Sequence, residues 1–164
     1  MAAGDPDPVA PRRVEAMAKA PQQPRRVLVI DDIADLRFLL RAHLERRGFD
    51  VVGDAADPDV GQALAEEHHP DGVIIDMTMP GFDVLAAIGR LRATLPNASI
   101  LAASATPADI DHEGLACAAG ADGYFDKAAG FDDLVRQFAS LLDRSTRRSR
   151  LTLPAPAFPP RPRG

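Results

Sequence analysis

Four short apolar runs in the middle of the chain each stop at polar or charged residues. The runs and the residues that follow them are Val27–Ile30 before Asp31 and Asp32, Val73–Ile75 before Asp76, Ile100–Ala103 before Ser104, and Tyr124-Phe125 shortly before Lys127. Continuously apolar strands are typical of parallel sheets that are covered on both faces. The carboxyl ends of such strands meet at one edge, where these folds bind ligands. The sequence therefore predicts one crevice that gathers three carboxylates, a hydroxyl and an ammonium group.

Segments with helical periodicity separate the apolar runs. Their apolar residues are Leu36, Leu39, Leu40 and Leu44; Val60, Ala63 and Leu64; Val84, Leu85, Ile88 and Leu91; and Leu134, Val135, Phe138, Leu141 and Leu142. A weaker helix is predicted over residues 107–119, and Val51-Val52 predicts one more short strand. Strands that alternate with helices indicate an α/β domain. We expect a flavodoxin-like, doubly wound parallel sheet of five strands in the order 2-1-3-4-5, with five helices.

Composition divides the chain into three parts. Residues 1–24 are rich in alanine and proline and show little apolar periodicity, which predicts a disordered leader. Residues 25–144 contain the alternating strands and helices and form the predicted domain. Residues 145–164 are basic and rich in proline, which predicts a disordered, extended tail.

The charge of the chain is unevenly distributed. The net charge is −5, but six arginines fall within residues 144–164. Residues 26–143 contain 21 acidic and 9 basic residues, which gives this part a net charge of −12. An acidic surface of this kind repels nucleic acid. We therefore expect no nucleic-acid partner for the domain, and any such role would fall to the basic tail.

The remaining composition favours the cytoplasm. The chain has one cysteine and so cannot form an internal disulfide, which is typical of a reducing compartment. No apolar stretch reaches the roughly 18 residues of a membrane helix. The first residues lack the apolar region of a secretory signal. We expect a cytoplasmic protein with no membrane partner.

The predicted crevice has the residue types of a phosphoryl-transfer site. Asp31 and Asp32 stand at a strand end, where adjacent carboxylates can share a Mg²⁺ ion, one directly and one through water. Asp76 supplies a third carboxylate, which can act as a nucleophile toward phosphorus. Lys127 would pair with one phosphoryl oxygen and the Ser104 hydroxyl would donate to another. Phosphoryl transfer needs positioning and charge neutralisation above all, and this set provides both.

Four segments in register carry a resemblance to a known family. They are residues 27–32 (VLVIDD), 70–81 (PDGVIIDMTMPG), 100–105 (ILAASA) and 120–127 (GADGYFDK). In this order and spacing they closely resemble the receiver domain of bacterial two-component response regulators. The resemblance covers about residues 25–143. One segment alone would be weak evidence, whereas four in register are strong evidence.

The resemblance implies roles for the residues of the crevice. Asp76 is the expected phosphoacceptor. Asp31, Asp32 and Asp76, with the backbone carbonyl of Thr78, are the expected ligands of Mg²⁺. Lys127 matches the lysine that contacts the phosphoryl group in the family pattern.

The resemblance also implies a switch. Ser104 would turn its hydroxyl toward the phosphoryl group, and Tyr124 would move inward on activation. Two positions depart from the family pattern, because Ala128 stands where proline often follows the lysine and Val84 replaces a common glycine. Neither departure removes a chemical group.

Simpler roles stay open for individual residues. Asp32 alone would fit a helix cap, which its side-chain oxygen can form with backbone N–H groups. Ser104 alone would fit a turn, and Tyr124 would fit a plain core aromatic. The context of the other site residues favours the functional reading in each case.

The sequence thus predicts a stand-alone receiver that accepts a phosphoryl group from a sensor histidine kinase or a histidine phosphotransfer protein. Its output would be contact with a downstream protein target, and a homodimer stays open. We expect no enzyme beyond a protein that promotes its own phosphorylation and dephosphorylation. The alternatives are the regulatory part of a DNA-binding transcription factor, a phosphorylation-independent scaffold and an aspartyl-phosphate hydrolase.

Overall fold

The computed structural model describes residues 23–105 and 111–151, with side chains of the last helix described through Arg147. Its strands are β1 (Arg26–Ile30), β2 (Asp50–Ala55), β3 (Gly72–Asp76), β4 (Ser99–Ser104) and β5 (Gly123–Asp126). Its helices are α1 (Ala34–Arg46), α2 (Pro58–His68), α3 (Val84–Thr94), α4 (His112–Ala119) and α5 (Phe131–Leu151), with a short 3-10 helix at Lys127–Ala129. All strand pairs are parallel, in the order β2-β1-β3-β4-β5. The predicted topology is confirmed.

Alternation along the strands sends apolar side chains to both faces of the sheet. In β1, Leu28 and Ile30 pack with residues of α2 and α3, whereas Val27 and Val29 pack with residues of α1 and α5. The central strands are buried along their full length, as their continuous apolar runs predict. The sheet therefore holds two cores, and its carboxyl edge is left to polar residues.

Helix α5 presents the predicted apolar stripe to the sheet. Leu134, Val135, Phe138, Leu141 and Leu142 are all buried. In α1 the stripe is narrower than expected, because Leu40 and Leu44 are buried but Leu39 remains 43% exposed.

Of the three residues predicted for the inner face of α2, Leu64 packs against the core, but the other two do not. Val60 is 48% exposed and Ala63 is exposed, whereas Gly61 and Ala65 face the core. The physical reason is a close approach to the sheet, since a Cβ atom at Gly61 would overlap the side chain of Ile30. Apolar periodicity alone does not reveal a buried face made of small residues.

Two boundaries also differ from the sequence prediction. The fourth helix begins at His112, and Asp111, which the predicted range 107–119 includes, is its cap and accepts a hydrogen bond from the Gly114 amide. Residues 107–110 of the predicted range lie outside the described residues. Helix α5 continues to Leu151 and so includes residues 145–151, which the sequence assigned to the tail. Two contacts hold this part of the helix against the domain. Leu142 is buried, and the Ser145 hydroxyl donates a hydrogen bond to the Asn97 carbonyl. Residues 1–22 of the predicted leader and 152–164 of the tail lie outside the described residues.

Candidate phosphoryl-transfer site

The carboxyl edge of the sheet brings the predicted acidic residues together. Asp31 directly follows β1, and Asp76 is the last residue of the adjacent strand β3. Three carboxylates, those of Asp31, Asp32 and Asp76, form what we call the acidic group. Each offers an oxygen atom, and these oxygens lie within 4.8 Å of one another. The crevice that the sequence predicts is therefore present.

Lys127 neutralises part of this negative charge. Its Nζ atom lies 2.6 Å from Asp31 Oδ2 and 3.0 Å from Asp76 Oδ1. Asp31 and Asp76 are 3% and 2% exposed, so water screens these interactions poorly. Buried charges persist when they are paired and hydrogen-bonded, and Lys127 supplies the pairing.

Thr78 takes part in a way that the sequence analysis missed. Its hydroxyl donates to the Asp76 carboxylate, with Oγ1 3.1 Å from Oδ1 and 3.3 Å from Oδ2. The sequence offers no periodicity signal for this bond, because it joins two side chains in the loop that begins at the end of β3. The role predicted for the Thr78 backbone carbonyl stays a prediction.

Ser104 and Tyr124 lie on the strands beyond Asp76. Ser104 ends β4, is fully buried, and follows Ala103, which pairs with Asp76 across the sheet. Tyr124 lies on β5, half-buried, with its ring centroid 6.3 Å from that of His112. The fold thus places both residues near the edge that carries the acids, and their switch roles stay predictions.

The donor set fits a hard divalent cation. Three carboxylates lie together, and the Lys127 ammonium contacts two of them. Oxygen donors of this kind are the ligands that Mg²⁺ prefers, usually one or two carboxylates with waters and phosphate oxygens. Asp32 is exposed, which leaves one carboxylate of the group open to an arriving ion.

A second ionic cluster consists of Arg37, Arg41 and Asp54, and it contacts the backbone of the acidic group. The Arg37 guanidinium donates to the Asp31 backbone carbonyl over 2.6 Å and to Asp54 Oδ1 over 3.3 Å. Arg41 pairs with the same Asp54 over 2.7 Å. The hydrogen bond from Arg41 is the main cause that lowers the pKa of Asp54, against the opposing effect of burial. Arg37 is not evident from the sequence, because basic residues on a helix ordinarily indicate a solvated face.

Exposed apolar side chains occur in the described segments that follow β1 and β3. Ile33 follows Asp32 directly and is 50% exposed, Phe38 on α1 is 72% exposed, and Phe82 lies in the loop after β3. Contiguous exposed apolar patches mark interaction surfaces, whereas single exposed apolar side chains are ordinary. The apolar periodicity of the sequence did not single out these exposed side chains.

Comparison with known proteins agrees with this geometry. The family described as the response regulator receiver domain matches residues 27–139. The transcriptional regulatory protein KdpE of Mycobacterium tuberculosis is 33% identical over 128 residues, which are 78% of this chain and 55% of that protein. The chain thus spans about half the length of this relative. No described helix combines the length and apolar character that a membrane crossing requires.

Solved structures show the same architecture. A CheY-like receiver domain protein from Methanospirillum hungatei superposes with a TM-score of 0.70 at 22% identity, covering 76% of this chain and 98% of that one. A response regulator from Burkholderia pseudomallei, solved with a phosphorylated aspartic acid and a calcium ion, superposes with a TM-score of 0.65 at 27% identity. That match covers 79% of this chain and 75% of the other.

Proposed function

The chain belongs to the response regulator receiver domain family, and from this premise we propose that it is a phosphoacceptor of a two-component phosphorelay. Asp76 receives the phosphoryl group. The observation that carries the proposal is the environment of Asp76, a carboxylate at a strand end in contact with both Lys127 and Thr78. Cationic and hydroxyl partners at one carboxylate are what phosphoryl transfer requires.

The transfer itself is an in-line displacement at phosphorus. A carboxylate oxygen of Asp76 forms the new O–P bond while the N–P bond to the donor histidine breaks, and the electron pair of that bond stays on the imidazole nitrogen. Lys127 then pairs with a phosphoryl oxygen, and its ammonium is already 3.0 Å from the accepting carboxylate. The Thr78 hydroxyl orients that carboxylate before the reaction.

Asp31 and Asp32 would complete the site by holding Mg²⁺ together with Asp76. When bound, this ion neutralises the charge that the phosphoryl oxygens bring to an already acidic crevice. Without a cation, the same carboxylates would repel an incoming phosphoryl group. Acceptance of the phosphoryl group therefore depends on the divalent ion.

Phosphorylation would be read out by Ser104 and Tyr124. Ser104 turns its hydroxyl toward the phosphoryl group, and Tyr124, which is half-buried beside His112, moves inward. These movements bias a two-state equilibrium at the surface of α4 and β5. The activated surface then binds a downstream protein target.

The donor would be a sensor histidine kinase or a histidine phosphotransfer protein in the cytoplasm. The exposed side chains of Ile33, Phe38 and Phe82 support this, since they belong to the segments that follow β1 and β3 and are open to apolar contact. We do not assign the protein an enzymatic role beyond its own phosphorylation and dephosphorylation. A DNA-binding output remains the rival, because the relative KdpE is named a transcriptional regulatory protein and the chain spans about half of it.

Mass spectrometry of the intact protein tests the proposal. The parent protein and the Asp76→Asn variant are each incubated with acetyl phosphate under two conditions. One sample of each contains Mg²⁺, and the other contains EDTA, which removes Mg²⁺. We expect the mass of one added phosphoryl group in the parent with Mg²⁺ and in no other sample. An unmodified parent that is folded and has bound Mg²⁺ would contradict the phosphoacceptor role.

A further inference from the structure

Arg37 connects the acidic group to the neighbouring strand. Its guanidinium donates from Nη1 to the Asp31 backbone carbonyl and from Nε to the Asp54 carboxylate on β2. The side chain is 17% exposed, so these bonds form in a partly dehydrated setting. Arg37 is the fourth residue of α1. It reaches back over the turn that carries Asp31 and Asp32, which we call the acidic turn.

The bond to the Asp31 carbonyl acts at a sensitive position. Asp31 is followed by Asp32, so the peptide group that Arg37 holds is the one that joins these two acids. The Asp31 side chain is itself fixed by the Ile33 amide over 2.9 Å and by Lys127. An uncompensated change of the backbone torsion angles beside this peptide group would move the Asp32 carboxylate relative to the other two.

Asp54 keeps Arg37 in place from the other side. The Asp54 carboxylate pairs with Arg37 and, more closely, with Arg41. Arg41 also donates to the Val51 carbonyl over 3.2 Å, which ties the cluster to β2 and not to the acidic turn. The two arginines thus share one carboxylate, but among the described contacts it is Arg37 that reaches the acidic turn.

We propose that Arg37 is a positioning residue that sets the affinity of the acidic group for Mg²⁺ by holding the Asp31–Asp32 peptide in its binding orientation. The inference rests on the proposed magnesium site. Groups that orient metal ligands typically change metal affinity by about 10- to 100-fold when they are removed. Arg37 touches no reacting atom, so it acts on the ligands and leaves the accepting carboxylate unchanged.

Charge alone predicts the opposite outcome. Removal of a positive side chain near a cation site lowers the repulsion on the ion and so raises its affinity. Positioning predicts that removal of Arg37 lowers the affinity. The sign of the change therefore separates the two effects.

The test compares Arg37→Ala with its matched control, Arg41→Ala, in the full chain. Calorimetric titration with MgCl₂ measures binding directly, and the rate of phosphorylation by acetyl phosphate is measured against Mg²⁺ concentration. We expect about tenfold weaker Mg²⁺ binding for Arg37→Ala and parent-like or slightly tighter binding for Arg41→Ala. The maximal rate at saturating Mg²⁺ should stay within about twofold of the parent, because Asp76, Thr78 and Lys127 are untouched.

Each contrary result has a distinct meaning. Equal or tighter Mg²⁺ binding by Arg37→Ala would overturn the positioning role while leaving the proposed function intact. Equal losses of affinity in both variants, or a collapse of the maximal rate in Arg37→Ala, would assign Arg37 a general structural role and overturn the inference. A parent protein that binds no Mg²⁺ would overturn the magnesium site and this inference with it.

Discussion

Lys127 places its ammonium group between two buried carboxylates. It contacts Asp31 over 2.6 Å and Asp76 over 3.0 Å, and its side chain is only 9% exposed. In the absence of a divalent ion, this ammonium compensates the acidic group. The same positive charge repels an ion that enters the group. We therefore expect Lys127 to stabilise the fold without Mg²⁺ and to weaken the proposed binding of Mg²⁺.

Replacement of Lys127 by methionine separates these two effects. Lys127→Met keeps the length of the side chain but leaves two buried carboxylates without their cation. We expect the free energy of unfolding without Mg²⁺ to fall by about 3 kcal/mol. We also expect tighter Mg²⁺ binding than in the parent, because the repulsion is removed. Urea unfolding and calorimetric titration measure the two quantities.

If Lys127→Met bound Mg²⁺ no more tightly than the parent and lost no stability, Lys127 would not be the charge that balances the acidic group. Lys127→Arg serves as a control, since it retains the positive charge and should keep most of the stability.

The sequence could reveal those site residues that follow an apolar strand, but not those that act through a long side chain from elsewhere. Asp31, Asp76, Ser104 and Lys127 follow apolar runs, so strand periodicity alone places them at one edge. Arg37 acts through a long side chain that reaches back to a backbone carbonyl. No spacing rule marks such a contact, because it depends on the angle at which α1 leaves the sheet.

The packing of α2 against β1 depends on a glycine in mid-helix. Gly61 faces Ile30, and a Cβ atom added there would lie 2.8 Å from Ile30 Cγ1. Ile30 is fully buried and has little room to move. Gly89 in α3 provides a contrast, because a Cβ atom there would meet only the Ala119 carbonyl oxygen at 3.7 Å.

The same substitution should therefore have opposite effects in the two helices. Gly89→Ala should stabilise the protein by about 0.5–1 kcal/mol, since alanine has the higher helix propensity. Gly61→Ala should destabilise it by about 1–3 kcal/mol, because overpacking outweighs that gain. Urea unfolding at equilibrium measures both, and a stabilised Gly61→Ala variant would show that α2 can move away from the sheet.

Helix boundaries were harder to predict than helix existence. The apolar stripe of α5 was predicted in full, yet the helix continues to Leu151 through a segment whose arginines suggested a tail. Arginine has a high helix propensity, so a run of basic residues can extend a helix that packing has already formed. The start of α4 is set by the Asp111 cap, which composition alone did not single out.

The topology of the whole molecule was predictable because its sheet is buried on both faces. Continuous apolar strands alternating with helices leave few arrangements, and the observed order β2-β1-β3-β4-β5 is the expected one. This topology brings residues 31, 76 and 127 to one edge, although they are far apart along the chain. Topology thus supplies the site, and local side-chain contacts such as those of Thr78 and Arg37 refine it.

The central claim is that Asp76 carries the phosphoryl group, and chemical trapping tests it most directly. The chain is phosphorylated with acetyl phosphate and Mg²⁺, reduced with sodium borohydride and digested for peptide sequencing by mass spectrometry. Borohydride reduces an aspartyl phosphate to homoserine, so we predict homoserine at position 76 and aspartate at positions 31 and 32. Homoserine at another position, or a stable phosphate on a serine, threonine or histidine with Asp76 unmodified, would contradict the account.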